Sequence, residues 1–267
     1  LRYRTSLTGR FYARTVWCRY RDQFRSIAPP EAEIRYPFVG NPAGIGLHGE
    51  VIPIHAFRHA YHALEMNKWL RDRPNATVVE IGGGIGAQAF QVMRMPDASV
   101  ARYVVFDIPE VAAVCSYFLL SVFPDKRIRL FGEGPVSTND AQDYALAVFP
   151  HFTVTELADE SVDLFHNSCS FSEMDRASSL AYLGVIERAC RGYFSHINHE
   201  TRLVYHNPDG TACTNAIGSE LTPDPDRFRR IFKKPRVFRL PEDRWFPAFE
   251  YLYERRNAID QIGRAHV

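Results

Sequence analysis

The chain has 267 residues, 46% of them apolar and 24% charged, which is the composition of an ordinary folded protein and not of a disordered one. The 32 Lys and Arg residues nearly balance the 31 Asp and Glu residues, so net charge gives no reason to expect nucleic acid as a partner. The five cysteines form no C-x-x-C pair, and no apolar run is long enough to cross a membrane. The sequence therefore predicts a cytoplasmic protein with reduced thiols and no membrane span.

The first part of the chain predicts helices joined by a loop. Residues 1–27 carry seven arginines against one acid and predict a solvated helix, with contact to an anionic surface as the alternative. Residues 28–53 are rich in Pro and Gly and predict a loop or a short irregular arm. Apolar residues then recur at helical spacing over Ile54–Arg71 until Pro74 interrupts the pattern.

Short apolar runs and helical stretches alternate in the rest of the chain. Strands are predicted at Thr77–Ile81, Arg102–Phe106, Ile128–Phe131, Val162–His166 and Gly192–Asn198. Helices are predicted at Gly86–Arg94, Glu110–Phe123 and Arg176–Cys190. The late segments "RFRRIFKKPRVFRL" and "FEYLYERR" alternate like strands and predict an antiparallel closing hairpin. The expected fold is α/β, with a doubly wound, mostly parallel seven-stranded sheet and an N-terminal extension.

A glycine-rich turn joins the first predicted strand of this sheet to a helix, in the segment "VVEIGGGIGAQAF" (Val78–Phe90). Glycines let the backbone approach a ligand closely, and the start of the following helix offers free N–H groups. From Gly84 to Ala89 the turn fits the dinucleotide pattern G-x-G-x-x-A. From Glu80 to Gly86 it fits a second pattern, in which an acid precedes alternate glycines.

Glu80 favours the second pattern. A carboxylate at this position suits a ligand that carries an ammonium and a sulfonium, whereas it would repel a pyrophosphate. This pattern resembles motif I of the class I S-adenosylmethionine-dependent methyltransferases. The resemblance implies that S-adenosyl-L-methionine is the cofactor and that Glu80, Gly82, Gly83, Gly84 and Gly86 bind it.

A second acid, Asp107, ends the next predicted strand, 21 residues after Gly86. A carboxylate there can accept hydrogen bonds from both hydroxyls of a ribose, which fits either cofactor. An alternative is that Asp107 only caps the helix that begins near Pro109. The segment "FDIPEV" resembles the D-L-P-x-V segment of small-molecule O-methyltransferases, which implies that Asp107 and Ile108 contact the cofactor.

The fourth predicted strand carries a longer motif, "VDLFHNSCSFSEM" (Val162–Met174), which resembles a segment of a family of sugar O-methyltransferases. The matching residues are Asp163, Leu164, Asn167, Ser170, Phe171, Glu173 and Met174. The resemblance extends over residues 37–256 and implies a Rossmann-like methyltransferase fold. It further implies methyl transfer to a hydroxyl of a sugar or of a sugar-containing small molecule, or of a nucleotide-linked sugar.

This resemblance also divides the chain. Residues 1–73 would form a helical extension and a helix that covers the cleft, and residues 74–260 the S-adenosylmethionine-binding domain. Residues 261–267 resemble the in-frame translation of a sequencing adapter, so they are predicted to be a tail foreign to the protein. The sequence does not specify an oligomeric state.

Methyl transfer to a sugar hydroxyl benefits from a base within hydrogen-bond reach. At the carboxyl ends of strands four and five, the best candidates are His199 and His166, because imidazole titrates near neutrality, followed by Glu173. Each could instead have a structural role, and Glu173 could cap the following helix. Asn167 is expected to orient the substrate or the methionine part of the cofactor.

Three histidines, His55, His59 and His62, share one face of the Ile54–Arg71 helix. They could bind a divalent metal, but without acidic partners a cover over the cleft is favoured, and no metal is predicted. The basic run Arg227–Arg236 is expected to be a solvated edge strand, with a phosphorylated sugar as the alternative.

Two other functions remain open. The first is an NAD-dependent oxidoreductase that uses the dinucleotide pattern. Glu80 opposes it, and no Tyr-x-x-x-Lys pair follows to supply the catalytic acid. The second is a methyltransferase-fold protein that has lost catalysis and acts as a binding protein.

Overall fold

The structure is a computed structural model of the chain, and it describes residues 7–47, 50–96, 98–136, 144–206, 209–239 and 245–256. The adapter-like residues 261–267 and the first six residues lie outside this part of the chain. The division at residue 73 stays a prediction.

The described residues contain five α-helices and twelve strands. The helices are α1 (Leu7–Ile27), α2 (Ala56–Trp69), α3 (Ala87–Met93), α4 (Pro109–Val122) and α5 (Arg176–Ala189). The strands before α4 are β1 (Ile45–Leu47), β2 (Glu50–Ile52), β3 (Ala76–Ile81) and β4 (Val100–Asp107). The strands up to β8 are β5 (Ile128–Leu130), β6 (Leu146–Pro150), β7 (Val162–Ser168) and β8 (Cys190–His199). The last four are β9 (Val204–His206), β10 (Ala212–Thr214), β11 (Phe228–Pro235) and β12 (Ala248–Arg255).

Eight strands form one sheet in the order β11-β12-β8-β7-β3-β4-β6-β5. The six strands from β8 to β5 pair in parallel, and β12 and β11 add an antiparallel pair at the β8 edge. The α/β class, the doubly wound parallel sheet and the antiparallel closing hairpin are therefore confirmed. Two separate hairpins, β1-β2 and β9-β10, lie outside this sheet.

The predicted number of seven strands is one too few. The missing strand is β6 (Leu146–Pro150), which lies between β4 and β5 and is buried along its whole length. Ile128–Phe131, predicted as the third strand, supplies β5 at the edge of the sheet. A continuous apolar run of five residues fits a strand or a buried helix segment equally well, and this ambiguity hid β6.

Helices cover both faces of the sheet. On one face, Met66 of α2, Phe90 of α3 and Leu119 of α4 share a buried core with the sheet residue Val78. On the other face, Ile186 of α5 packs with residues of β7, β8 and β12. Strands buried on both faces read as continuous apolar runs, as the sequence of β3 does.

The N-terminal extension is less solvated than its seven arginines suggest. Helix α1 buries Trp17, Tyr20 and Phe24 against Phe57 of α2. The Tyr20 hydroxyl also donates a hydrogen bond of 3.0 Å to the carbonyl oxygen of Phe238. The prediction of a fully solvated helix is thus wrong for one face, because aromatic residues between the arginines recur at helical spacing. Helix α1 therefore packs against α2 through this aromatic face.

Candidate active site

The sheet topology itself indicates where a ligand binds. From β3 the chain proceeds to β4 and β6 on one side and then crosses back to β7 on the other. In doubly wound sheets, a crevice forms at the carboxyl ends of the strands where the order reverses in this way. The glycine turn after β3, the acid that ends β4 and the turn after β7 all lie at this edge of the sheet.

Three glycines of the turn adopt a backbone conformation that other residues avoid. Gly82, Gly84 and Gly86 have φ angles of 73°, 57° and 84°. Gly86 is also the N-cap of α3 and has no side chain that could obstruct the free N–H groups of the first helical turn. The turn is therefore shaped by glycine's freedom at these positions.

The glycines differ in how closely they are packed. A Cβ atom on Gly82 would lie 2.1 Å from Ser170 Oγ, and one on Gly83 would lie 2.5 Å from a methyl of Val105. A Cβ atom on Gly84, in contrast, would meet no heavy atom within 4 Å. Backbone at Gly84 therefore faces open space, where a ligand could approach it.

The different packing gives a direct test of the turn. Gly84→Ala should cost only the left-handed backbone penalty, roughly 1–2 kcal/mol in the free energy of unfolding. Gly82→Ala should cost more, because the new methyl also collides with Ser170. The double variant Gly82→Ala, Ser170→Gly should recover the steric part. Urea titrations of the variants measure the differences, and equal costs for both single variants would contradict the described packing.

Glu80 lies beneath the turn and is only 3% exposed. Its Oε2 accepts a hydrogen bond of 2.9 Å from the hydroxyl of Tyr103 on β4. Burial raises the pKa of Glu80 to about 7, the Tyr103 hydrogen bond opposes this rise, and the charge of Asp107 adds to it. Glu80 can therefore carry a negative charge at low cost only when a cation binds beside it.

Asp107 connects β4 to the glycine turn. Its Oδ2 accepts a 2.8 Å hydrogen bond from the N–H of Gly84, and its Oδ1 accepts one of 2.8 Å from the N–H of Ile108. Burial raises the pKa of Asp107, and these two hydrogen bonds oppose the rise. The N-cap of α4 is Ile108 and has no side-chain cap, so Asp107 does not cap the helix as the alternative supposed. Each carboxylate oxygen keeps a lone pair for a ligand hydroxyl.

A cavity of about 350 Å³ lies beside Ile108, within the size range of small-molecule sites. Ile108 is 50% exposed, and Phe152 from the turn after β6 is 56% exposed. Met174 and Tyr182 also line it. Asp107 directly precedes Ile108 in the chain, so its carboxylate lies close to this cavity. The cavity is apolar enough for a flat heterocycle and borders the carboxylate that could hold a ribose.

Asn167, at the end of β7, is fully buried and its amide is occupied by the chain itself. Its Nδ2 donates to the carbonyl oxygen of Ile81, 2.9 Å away, and to Ser170 Oγ. Its Oδ1 accepts a 2.9 Å hydrogen bond from Asn198 on β8. In this arrangement Asn167 holds the ends of three strands in register beside the glycine turn, so contact with the cofactor stays a prediction.

The three candidate bases have different surroundings. His166 is 1% exposed beneath α2, and burial lowers its pKa to about 3. His199 is half-buried, its Nδ1 accepts a 3.2 Å hydrogen bond from the N–H of Thr201, and burial lowers its pKa. The side chain of Glu173 is exposed in the turn after β7, but neighbouring residues desolvate its carboxyl group enough to raise the pKa. Of these three candidates, only Glu173 and His199 are thus open to a substrate.

The alternative role proposed for Glu173 is not found. The N-cap of α5 is Asp175, whose carboxylate accepts a 2.9 Å hydrogen bond from the N–H of Ser178. The carboxylate of Glu173 has no hydrogen-bond or ion-pair partner within the described ranges, so it is available to a ligand.

His55 at the N-cap of α2, and His59 and His62 within it, are not grouped as a set of metal ligands in the described residues. His55 and His59 lie with their ring centroids 5.3 Å apart, and the ring of His62 faces His166 at 6.0 Å. No group of three His, Cys, Asp or Glu side chains in the described part of the chain could hold a metal ion.

The basic run on β11 is largely neutralised by the chain. Arg229 pairs with Glu254, Lys233 with Glu200, and Lys234 with Glu250, at 2.6, 3.0 and 3.3 Å. The burial pattern of β11 is that of a mostly exposed strand, and it forms the edge of the sheet, as predicted.

Sequence reasoning missed the partners of the key residues. The sequence gives no local signal for Tyr103, although it lies on the same face of the sheet as Glu80 in the neighbouring parallel strand. Ser170 was noted as a motif residue, but not as the close neighbour of Gly82. Phe152 and the cavity beside it depend on β6, which was not predicted. The sequence marks Phe152 only as an aromatic residue two positions after the apolar run Leu146–Pro150.

No family model matches the chain, and no curated protein matches it. Among solved structures, it is similar to magnesium protoporphyrin IX methyltransferase from Synechocystis PCC 6803 with bound SAM (9% identity, 75% of this chain and 81% of that chain, TM-score 0.46). It is also similar to a SAM-dependent methyltransferase from Aquifex aeolicus (14% identity, 73% and 97%, TM-score 0.43). A third is the mitomycin 7-O-methyltransferase MmcR (15% identity, 76% and 56%, TM-score 0.45). At these TM-scores, the likenesses assign neither a family nor an activity to this chain.

None of the helices in the described ranges has both the length and the apolar character that a membrane crossing requires. The cytoplasmic location stays a prediction.

Proposed function

We propose that the protein is an S-adenosylmethionine-dependent methyltransferase that acts on a hydroxyl of a sugar or of a sugar-containing small molecule. The observation that carries this proposal is the position of two carboxylates beside the glycine turn. Glu80 is buried under the turn, and Asp107 ends the neighbouring strand. A buried carboxylate whose pKa is raised to about 7 favours a cationic ligand and opposes a pyrophosphate.

The residues of the site fit this cofactor. The open backbone at Gly84 would lie against the methionine part, whose ammonium compensates the charge of Glu80. The free lone pairs of Asp107 would accept the ribose hydroxyls, and the cavity at Ile108 and Phe152 would take the adenine. When bound, this cofactor supplies an electrophilic methyl group on a sulfonium.

The chain must then position a hydroxyl and receive its proton. Glu173 and His199 lie at the carboxyl ends of β7 and β8 and are the accessible candidates for this base. The specific support for a sugar acceptor is the motif Val162–Met174. Its residues Asn167 and Ser170 build the edge of the site next to Gly82.

The most informative experiment incubates the protein with labelled S-adenosylmethionine and a panel of monosaccharides, nucleotide sugars and oligosaccharides, and detects products by mass spectrometry. Addition of one methyl to a sugar hydroxyl is the expected result. Cofactor binding without methyl transfer to any acceptor would favour the inactive binding protein.

The base is identified by comparing three variants on the acceptor found in this way. We expect Glu173→Gln or His199→Ala to lower kcat about 10²–10⁴-fold, the usual contribution of a general base. His166→Ala should affect the free energy of unfolding more than kcat, because its ring is enclosed by the fold. Steady-state kinetics and urea titration separate these effects. Full activity in both of the first two variants would mean that neither residue is the base.

A further inference from the structure

A polar cluster lies between α2 and the sheet, and three of its four members, Arg58, His59 and His62, have no role in the site described above. Arg58 on α2 is half-buried, and within the described ranges its guanidinium has no hydrogen bond and no ion pair; its Nε is buried without a partner. Buried charged groups in proteins are normally paired, so an isolated arginine of this kind requires an explanation.

The imidazoles around Arg58 are also incompletely paired. Buried ring nitrogens without a hydrogen-bond partner occur on His59 (Nδ1), His62 (Nε2) and His166 (both). Burial lowers the pKa values of all three, and the positive charge of Arg58 lowers them further. The rings are therefore neutral at pH 7, and each offers one N–H donor.

The charge of this cluster is not balanced by the neighbouring acid. Glu250 lies 3.7 Å from His62 Nε2, but its carboxylate is already 3.3 Å from the ammonium of Lys234 and accepts a 2.9 Å hydrogen bond from the N–H of Val237. Glu250 thus neutralises Lys234, and no acid within the described ranges pairs with Arg58.

The cluster borders the proposed methyl-transfer site. The carbonyl oxygen of His59 accepts a 3.1 Å hydrogen bond from Gln88 Nε2 in the first turn of α3, directly after the glycine turn. His166 pairs across the sheet with Glu80. Arg58 is only half-buried, so its side chain is partly accessible from outside.

We propose that Arg58, together with His59, His62 and His166, forms a subsite for an oxyanion, a carboxylate or a phosphate, on a ligand of the proposed methyl-transfer site. An oxyanion supplies the missing counter-charge and accepts hydrogen bonds from a guanidinium and from neutral imidazoles. The proposal rests on the proposed function for the ligand that carries the group. That group belongs either to the acceptor, as in a sugar acid or a sugar phosphate, or to the methionine carboxylate of the cofactor.

The subsite is tested first with inorganic sulfate as the probe, by calorimetric titration of the full chain. Arg58→Gln should weaken sulfate binding about tenfold or more, the contribution of a hydrogen bond to a charged group. Arg58→Lys should retain part of the affinity, because it keeps the charge. Lys68→Gln, an exposed cation on the same helix, should bind sulfate like the unchanged protein. Absence of sulfate binding, or equal binding by Arg58→Gln, would overturn the proposal and leave buried water as the partner of the cluster.

Two further titrations identify the source of the oxyanion. If it belongs to the cofactor, S-adenosylhomocysteine should bind more tightly than its decarboxylated analogue, and Arg58→Gln should abolish the difference. If it belongs to the acceptor, Arg58→Gln should leave S-adenosylhomocysteine binding unchanged and abolish a preference for glucuronate or glucose 6-phosphate over glucose. Failure of S-adenosylhomocysteine to bind the unchanged protein would count against the proposed function alone, because the sulfate titration does not depend on it.

Discussion

Replacing Glu80 with glutamine is expected to stabilise the ligand-free protein at pH 8 by up to about 3 kcal/mol. The pKa of Glu80 is raised from 4.5 to about 7 in the folded state, so the folded chain holds this proton more tightly than the unfolded chain. Stability from this group is fully present below pH 4.5 and is lost as the pH rises through 7. Glutamine removes that loss and can still accept the hydrogen bond of Tyr103.

The measurement is the free energy of unfolding of both proteins between pH 4.5 and pH 8. The two curves should converge at the acid end and separate toward pH 8. The buried histidines titrate in both proteins, so their contribution cancels in the difference. Glu31→Gln, which changes an exposed carboxylate, should give no such separation. If the Glu80→Gln protein is less stable than the original at pH 8, then the buried negative charge of Glu80 does not destabilise the ligand-free fold.

The same substitution, Glu80→Gln, should weaken binding of the cofactor. S-adenosylmethionine brings an ammonium and a sulfonium toward Glu80, and a neutral glutamine no longer attracts them. A protein that gains stability and loses affinity by one substitution would show that the charge is kept for binding. A substitution that destabilised the fold and weakened binding together would indicate general damage.

Asp107→Ala should weaken cofactor binding by about 1.5–3 kcal/mol, which is roughly 10- to 150-fold in Kd. The variant removes the carboxylate that would accept the ribose hydroxyls. It also frees the N–H of Gly84, which Asp107 holds at 2.8 Å. Asp107→Asn keeps one acceptor oxygen and should lose less affinity.

Calorimetry with S-adenosylhomocysteine is suitable for this comparison. Asp125→Ala serves as the control, because Asp125 is exposed in the turn after α4. Unchanged affinity in Asp107→Ala would remove Asp107 from the site. Equal losses in Asp107→Ala and Asp125→Ala would indicate a non-specific charge effect.

Local features of the site could be predicted from the sequence. The glycine turn follows a strand and precedes a helix in consecutive residues, so its left-handed φ angles follow from residue type. The positions of Glu80 and Asp107 follow because parallel strands end at the same edge of a sheet. The closing hairpin was predicted because aromatic alternation gives β12 a period of two.

Features that depend on distant parts of the chain could not be predicted in this way. The enclosure of His166 requires α2 to lie over β7, and no local pattern states which helix covers which strand. That the guanidinium of Arg58 has no partner within the described residues is a property of the tertiary structure, which no local pattern states. The strand β6 was not predicted, because its apolar run shows no hydrophobic periodicity. It lies in the sheet between two strands that were predicted.

The central claim is that this glycine turn holds S-adenosylmethionine and not a dinucleotide, and a paired calorimetric titration tests it most directly. Our account predicts that S-adenosylhomocysteine binds with a micromolar Kd or tighter, that Asp107→Ala weakens it, and that NADH does not bind measurably. Micromolar binding of NADH without binding of S-adenosylhomocysteine would contradict the account and favour the oxidoreductase.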